Sequence, residues 1–85
     1  MKTFEYVVKD ELGIHARPAG LLVKEAKKFE STVSITKGEK TVDASKLMAV
    51  MALAVKNADT VTVTVEGADE DAAFEGIKAF FEANL

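Results

Sequence analysis

The sequence predicts an α+β domain: a four-stranded antiparallel sheet covered on one face by helices, in the chain order β-α-β-β-α-β-α. Two observations predict it. Several short segments alternate apolar and polar side chains at a period of two, and the segments between them repeat apolar residues at the helical period. Strands with one apolar face and helices with one apolar stripe settle into two layers, which buries both sets. At 85 residues, 48% apolar and 29% charged, the chain is expected to form a single domain over 1–85 with a modest core.

The first strand is carried by Phe4, Tyr6 and Val8, which alternate with Thr3, Glu5 and Val7. A loop follows at Asp10–Gly13. From Ala16 the period changes, and Ala19, Leu22, Val23, Ala26 and Phe29 form the stripe of an amphipathic helix. Pro18 falls in its first turn, where the missing N–H costs nothing. Lys27 and Lys28 suit the negative end of the helix dipole. Val33 and Ile35 alternate with Thr32, Ser34 and Thr36; Lys37-Gly38-Glu39 reads as a turn, and Lys40 to Asp43 returns as the second strand of a hairpin. Ser45 to Val55 is rich in Ala, Leu and Met, which favours a short helix. Thr60 to Val65 alternates strictly, with three valines on one face, and Gly67 ends it. Asp69, Glu70 and Asp71 place negative charge at the start of a last helix, whose stripe is Ala73, Phe74, Ile77, Phe80 and Phe81. The Thr-rich face of the sheet is expected to meet water.

Composition removes several function classes. With no cysteine, disulfide scaffolds, thiolate metal sites and cysteine nucleophiles are excluded, and a reducing compartment is compatible. The longest apolar run, Leu47 to Val55, has nine residues against about 20 needed to span a bilayer, so no membrane insertion is expected. Charges interrupt the first ten residues, so no secretory signal is expected and a cytoplasmic location is. A formal charge of −3 argues against a nucleic-acid partner.

The only His, the only Arg and the only Pro occur within four positions, at His15, Arg17 and Pro18. His15 falls where the loop turns into the first helix. An imidazole nitrogen is a good nucleophile near neutral pH. A helix N-terminus offers unpaired N–H groups to an anion, and the Arg17 guanidinium fits phosphate oxygens. Together these describe a histidine able to accept a phosphoryl group. The plainer reading makes His15 a helix-boundary residue and Arg17 a solvated one. One imidazole with no Cys cannot close a metal site, and no cofactor is expected. Gly38-Glu39-Lys40-Thr41 is only superficially like a phosphate loop, lacking the upstream Gly and the Gly-Lys pair. Asp69-Glu70-Asp71 is explained by helix-start electrostatics. In the second helix, Leu47, Met48 and Met51 either form an exposed apolar patch suited to docking partners or are buried with the rest.

At Gly13-Ile14-His15-Ala16-Arg17-Pro18-Ala19 the chain resembles the HPr phosphocarrier family of the bacterial phosphoenolpyruvate-dependent sugar phosphotransferase system, and the similarity runs over nearly all 85 residues. The resemblance implies an open-faced β-sandwich with strand order 1-4-2-3 and three helices on one side. It implies that His15 takes a phosphoryl group from phosphorylated enzyme I and passes it to the enzyme IIA unit of a sugar permease, as a stoichiometric carrier rather than an enzyme. Arg17 would steady the phosphoryl oxygens. Ala16, Gly20 and Lys24, with Leu47, Met48 and Met51, would form the docking surface. A monomer is expected, with transcriptional regulators as further partners.

One departure stands out. Many Gram-positive members open the second helix with a regulatory serine, at the position held here by Lys46. Ser45 and Lys46 look transposed, so Ser45 reads as a plain helix N-cap rather than a shifted phosphosite. The alternative from another class is an HPr-like regulatory module that docks partners without sugar transport; retention of both His15 and Arg17 favours the relay.

Overall fold

Each strand presents alternate side chains to one face, and the register aligns those of all four strands. In the computed structural model, which describes residues 1–85, β1 (Lys2–Val7) pairs antiparallel with β4 (Thr60–Glu66), β4 with β2 (Thr32–Lys37), and β2 with β3 (Lys40–Asp43). The strand order is therefore β1-β4-β2-β3. Phe4 lies opposite Val63, Val63 opposite Ile35, and Ile35 opposite Val42, giving one apolar row across the sheet. Tyr6 with Val61 and Val33 with Val65 add parallel rows. Val33, Ile35, Val61, Val63 and Val65 are buried, and the opposite face carries Thr32, Ser34, Thr64 and Glu66 around a polar depression.

β1 and β2 both run antiparallel to β4, which lies between them, so the chain from one to the other crosses the layer through α1 (Ala16–Ala26). β3 and β4 flank β2 in the same way and are joined through α2 (Leu47–Ala52). These are two interleaved split β-α-β units. The last helix, α3 (Glu70–Asn84), packs on β1, β4 and α1. The helices bury Pro18, Ala19, Leu22 and Ala26; Val50; and Ala73, Ile77 and Phe81. Phe81 meets Phe4 and Tyr6 edge to face, with ring centroids 5.6 and 5.4 Å away, a geometry that adds about 0.5–1.5 kcal/mol per pair beyond area burial.

Four boundaries differ from the sequence reading. α1 stops at Ala26, and Phe29 lies in the turn beyond it; its ring packs where a β-carbon on Gly76 would come within 2.8 Å of Cζ, so tertiary contact rather than helix period explains its apolarity. Lys37 belongs to β2 and pairs with Lys40, leaving a two-residue turn in which Gly38 alone has positive φ, 61°, the requirement of a type II′ hairpin. α2 is shorter than Ser45–Val55 at both ends. Its N-cap is Lys46, not Ser45, because the Ser45 N–H and hydroxyl both donate to Asp43 Oδ1, at 2.8 and 2.6 Å, and hold the chain in a turn. Its far end is fixed by Ala54, whose φ of 53° no helix accommodates. Asp69 caps no helical N–H; its carboxylate crosses to the Glu30 and Ser31 N–H groups and the Ser31 hydroxyl. Helix-start electrostatics therefore falls to Glu70 and Asp71.

Candidate functional site

Gly13 positions the site. Its φ is 69°, and a β-carbon there would stand 2.2 Å from the Val55 carbonyl oxygen, so only glycine fits on both counts. This close approach lets the Ile14 N–H donate to the same oxygen at 3.0 Å, with the Ile14 side chain buried in the core. The next residue, His15, has extended backbone (φ −100°, ψ −175°) and is the N-cap of α1; its carbonyl accepts the Ala19 N–H at 2.9 Å. Its side chain makes no capping bond and is 39% exposed. The N–H groups of Ala16 and Arg17 precede the first intrahelical bond and have no partner within the helix; Pro18 has none to offer.

The ring of His15 opens on a shallow depression of about 250 Å³ lined by Asp10, His15, Arg17, Pro18, Leu21 and Asn84. Arg17 is exposed. His15 Nε2 lies 3.9 Å from Asp10 Oδ1, an electrostatic rather than hydrogen-bonding distance. His15 and Arg17 thus share one open depression beside the first turn of α1, whose Ala16 and Arg17 N–H groups have no helical partner, the equipment for receiving a phosphoryl group and holding its oxygens. No three of the chain's His, Asp and Glu side chains gather as a metal-ligand set.

The second half of the candidate surface lies on α2. Val50 faces the core, while Leu47, Met48 and Met51 are 41%, 77% and 38% exposed; the burial alternative for them is thereby removed. α2 packs beside α1, on which Ala16 and Lys24 are exposed and Gly20 is half-buried.

The profile of the family described as the PTS HPr component phosphorylation site matches residues 2–83. The chain belongs to the HPr family. HPr from Lysinibacillus sphaericus is 46% identical over 77 residues, covering 91% of this chain and 88% of the relative. The HPr-like protein Crh of Halalkalibacterium halodurans is 44% identical over 75 residues, covering 88% and 89%. The crystal structure of HPr-C-His from Thermoanaerobacter tengcongensis superposes with a TM-score of 0.93 at 36% identity, covering 98% and 93%. HPr proteins are phosphocarriers of the phosphotransferase system, and the strand order 1-4-2-3 with three helices is that of the HPr structures. No helix of the chain is long and apolar enough to cross a membrane.

His15 and Arg17 were visible in the sequence as the only residues of their types. Asp10, Leu21 and Asn84 were not. Asp10 carries a local sign, since its carboxylate accepts the Leu12 N–H at 2.9 Å in a turn two residues long. Leu21 lies off the core stripe of α1 and is 43% exposed. Asn84 reaches the site only because α3 ends there, which no local pattern announces.

Proposed function

We propose that this chain carries a phosphoryl group on His15, taking it from phosphorylated enzyme I and delivering it to the enzyme IIA unit of a sugar permease. The observation that carries the reading is the uncapped His15 ring at the start of α1, sharing one depression with Arg17 and facing no competing side-chain hydrogen bond. Nε2 is the nitrogen turned towards Asp10, so the acceptor is Nδ1, where incoming oxygens avoid the carboxylate. On loading, the Nδ1 lone pair forms the N–P bond as the donor's P–N bond breaks, its electron pair returning to the donor. Delivery reverses this. Arg17 and the Ala16 and Arg17 N–H groups balance the charge of the three oxygens in both states. Little further catalysis is required of the carrier, because positioning and charge stabilisation dominate phosphoryl transfer.

Docking falls to Leu47, Met48 and Met51 with Ala16, Gly20 and Lys24. Unbranched methionines adapt to more than one partner surface, which suits a module that meets a donor, several acceptors and transcriptional regulators in turn. The test is direct. Incubation with phosphoenolpyruvate and enzyme I is expected to add one acid-labile phosphoryl group by intact mass, and none to His15→Ala. An unmodified wild-type protein, or a fully labelled variant, would refute the reading.

A further inference from the structure

Asp10 is held at four points. Its N–H donates to a main-chain oxygen of Leu85 at 2.8 Å, its carbonyl accepts the Gly13 N–H at 3.0 Å and the Asn57 amide at 3.3 Å, and its Oδ1 accepts the Leu12 N–H at 2.9 Å. His15 is fixed to the same frame through the Ile14–Val55 bond and the first bond of α1. A carboxylate so anchored, 3.9 Å from Nε2, is a built relation between two side chains rather than a chance approach on a loose loop.

We propose that Asp10 is a positioning residue for phosphoryl transfer: its carboxylate keeps the proton on Nε2, so that Nδ1 is the free nucleophile before loading and a neutral imidazole is the leaving group on delivery. The proposal rests on the reading of His15 as phosphoryl acceptor. With Nε2 protonated, the loaded ring carries a positive charge. When the N–P bond breaks, its electron pair stays on Nδ1, the proton remains on Nε2, and the ring departs neutral. Without that proton, the same step would expel an imidazolate anion, a far poorer leaving group. The groups facing the ring are Asp10 from the loop, Arg17 from α1 and the uncharged amide of Asn84 from α3. Arg17 opposes a proton on the ring and Asp10 is the carboxylate 3.9 Å from Nε2 that favours one, with a main-chain oxygen of Leu85 bonded to the Asp10 N–H behind it. In other histidine sites a hydrogen-bonded partner on one nitrogen decides what the other does; here the carboxylate acts through charge across 3.9 Å.

The test is Asp10→Asn, which keeps an oxygen for the Leu12 N–H and hence the turn. Both proteins are loaded with phosphoenolpyruvate and enzyme I, and loss of the phosphoryl group is followed from acid to mildly alkaline pH. The wild-type profile is expected to extend to higher pH, with the variant about two- to fivefold slower at neutral pH and equal on the acid plateau, as a half-exposed charge pair allows. Superimposable profiles overturn the proposal. Nitrogen NMR of the unloaded proteins gives a separate readout: the Nε2–H tautomer should dominate in the wild type and lose population in the variant. If the wild type takes no phosphoryl group, the carrier reading fails by itself, and equal tautomer populations in the two proteins would then sink the role of Asp10 independently.

Discussion

Ala54 and Ala58 hold left-handed backbone, φ 53° and 71°, at the two bends that carry the chain from α2 into β4. A non-glycine residue there is held against a cost of about 1–2 kcal/mol. Glycine removes that strain, and the greater freedom it gives the unfolded chain offsets part of the gain. Ala54→Gly is therefore expected to raise stability by up to about 1 kcal/mol, seen as a higher denaturation midpoint in urea; a lower midpoint would show that the bend is not strained. Ser45 yields a second expectation at this scale. Its hydroxyl is engaged by the Asp43 carboxylate, so a phosphoryl group there would meet a negative charge at contact distance. ATP-dependent labelling of Ser45 by a cognate kinase is expected to be weak or absent, and stoichiometric labelling would overturn this. The residues legible from sequence were those whose type is rare and whose chemistry is local, His15 and Arg17. Asp10 escaped because its role comes from where the β1–α1 turn folds back, not from what precedes or follows it.

The helix α2 shows what an element's boundaries depend on. Its composition announced a helix, but both ends are set by contacts that composition does not carry. Beyond its last turn, Lys37 reaches over from β2: its Nζ donates to the Ala54 carbonyl at 2.8 Å and the Leu53 carbonyl at 3.4 Å, and pairs with Asp59 at 3.1 Å. These bonds satisfy carbonyls that the helix end leaves open. Lys37→Met keeps the stem of the side chain and removes the charge; it is expected to lower stability by about 0.5–1.5 kcal/mol and to speed amide exchange over residues 53–59 more than elsewhere. Uniform acceleration would instead mean that Lys37 does not act locally. On the outer side of the same helix, Met48→Asp and Met51→Asp should leave the fold intact by circular dichroism while weakening binding to enzyme I by at least about tenfold, since a charge would be buried at the docking face. Binding unchanged in both variants would remove α2 from the interface.

For the whole molecule, strand order was the feature least legible in the sequence. Only β2 and β3 are joined by a tight turn; the pairing of β4 with both β1 and β2 joins segments far apart in the chain, and alternation identifies strands without naming their neighbours. What closes that architecture on the side-chain level is a set of carboxylates, of which Asp59, Asp69 and Glu70 tie distant segments together and Asp43 holds a local turn, and this has a consequence for pH. Asp69 is held below the usual carboxylate range chiefly by the Ser31 hydroxyl and by the Glu30 N–H, contacts that join the start of α3 to the turn before β2. Asp43 is lowered by the Ser45 hydroxyl and N–H, Asp59 by the Lys56 N–H and then Lys37, and Glu70 by the Met1 ammonium and the Gly67 N–H. Each group binds its proton less tightly in the fold than in the unfolded chain, so each contributes stability above its unfolded value, near 4, and loses that contribution as pH falls through the lower folded value. Stability from these four groups should be level from pH 7 to about pH 5 and fall steadily below about pH 4. Urea midpoints measured across that range provide the check. Asp69→Ala should be less stable than the wild type at neutral pH and show a shallower acid decline, so that the two curves converge in acid. Parallel curves would mean that the Asp69 carboxylate contributes no more to the fold charged than protonated, and that the acid sensitivity lies elsewhere.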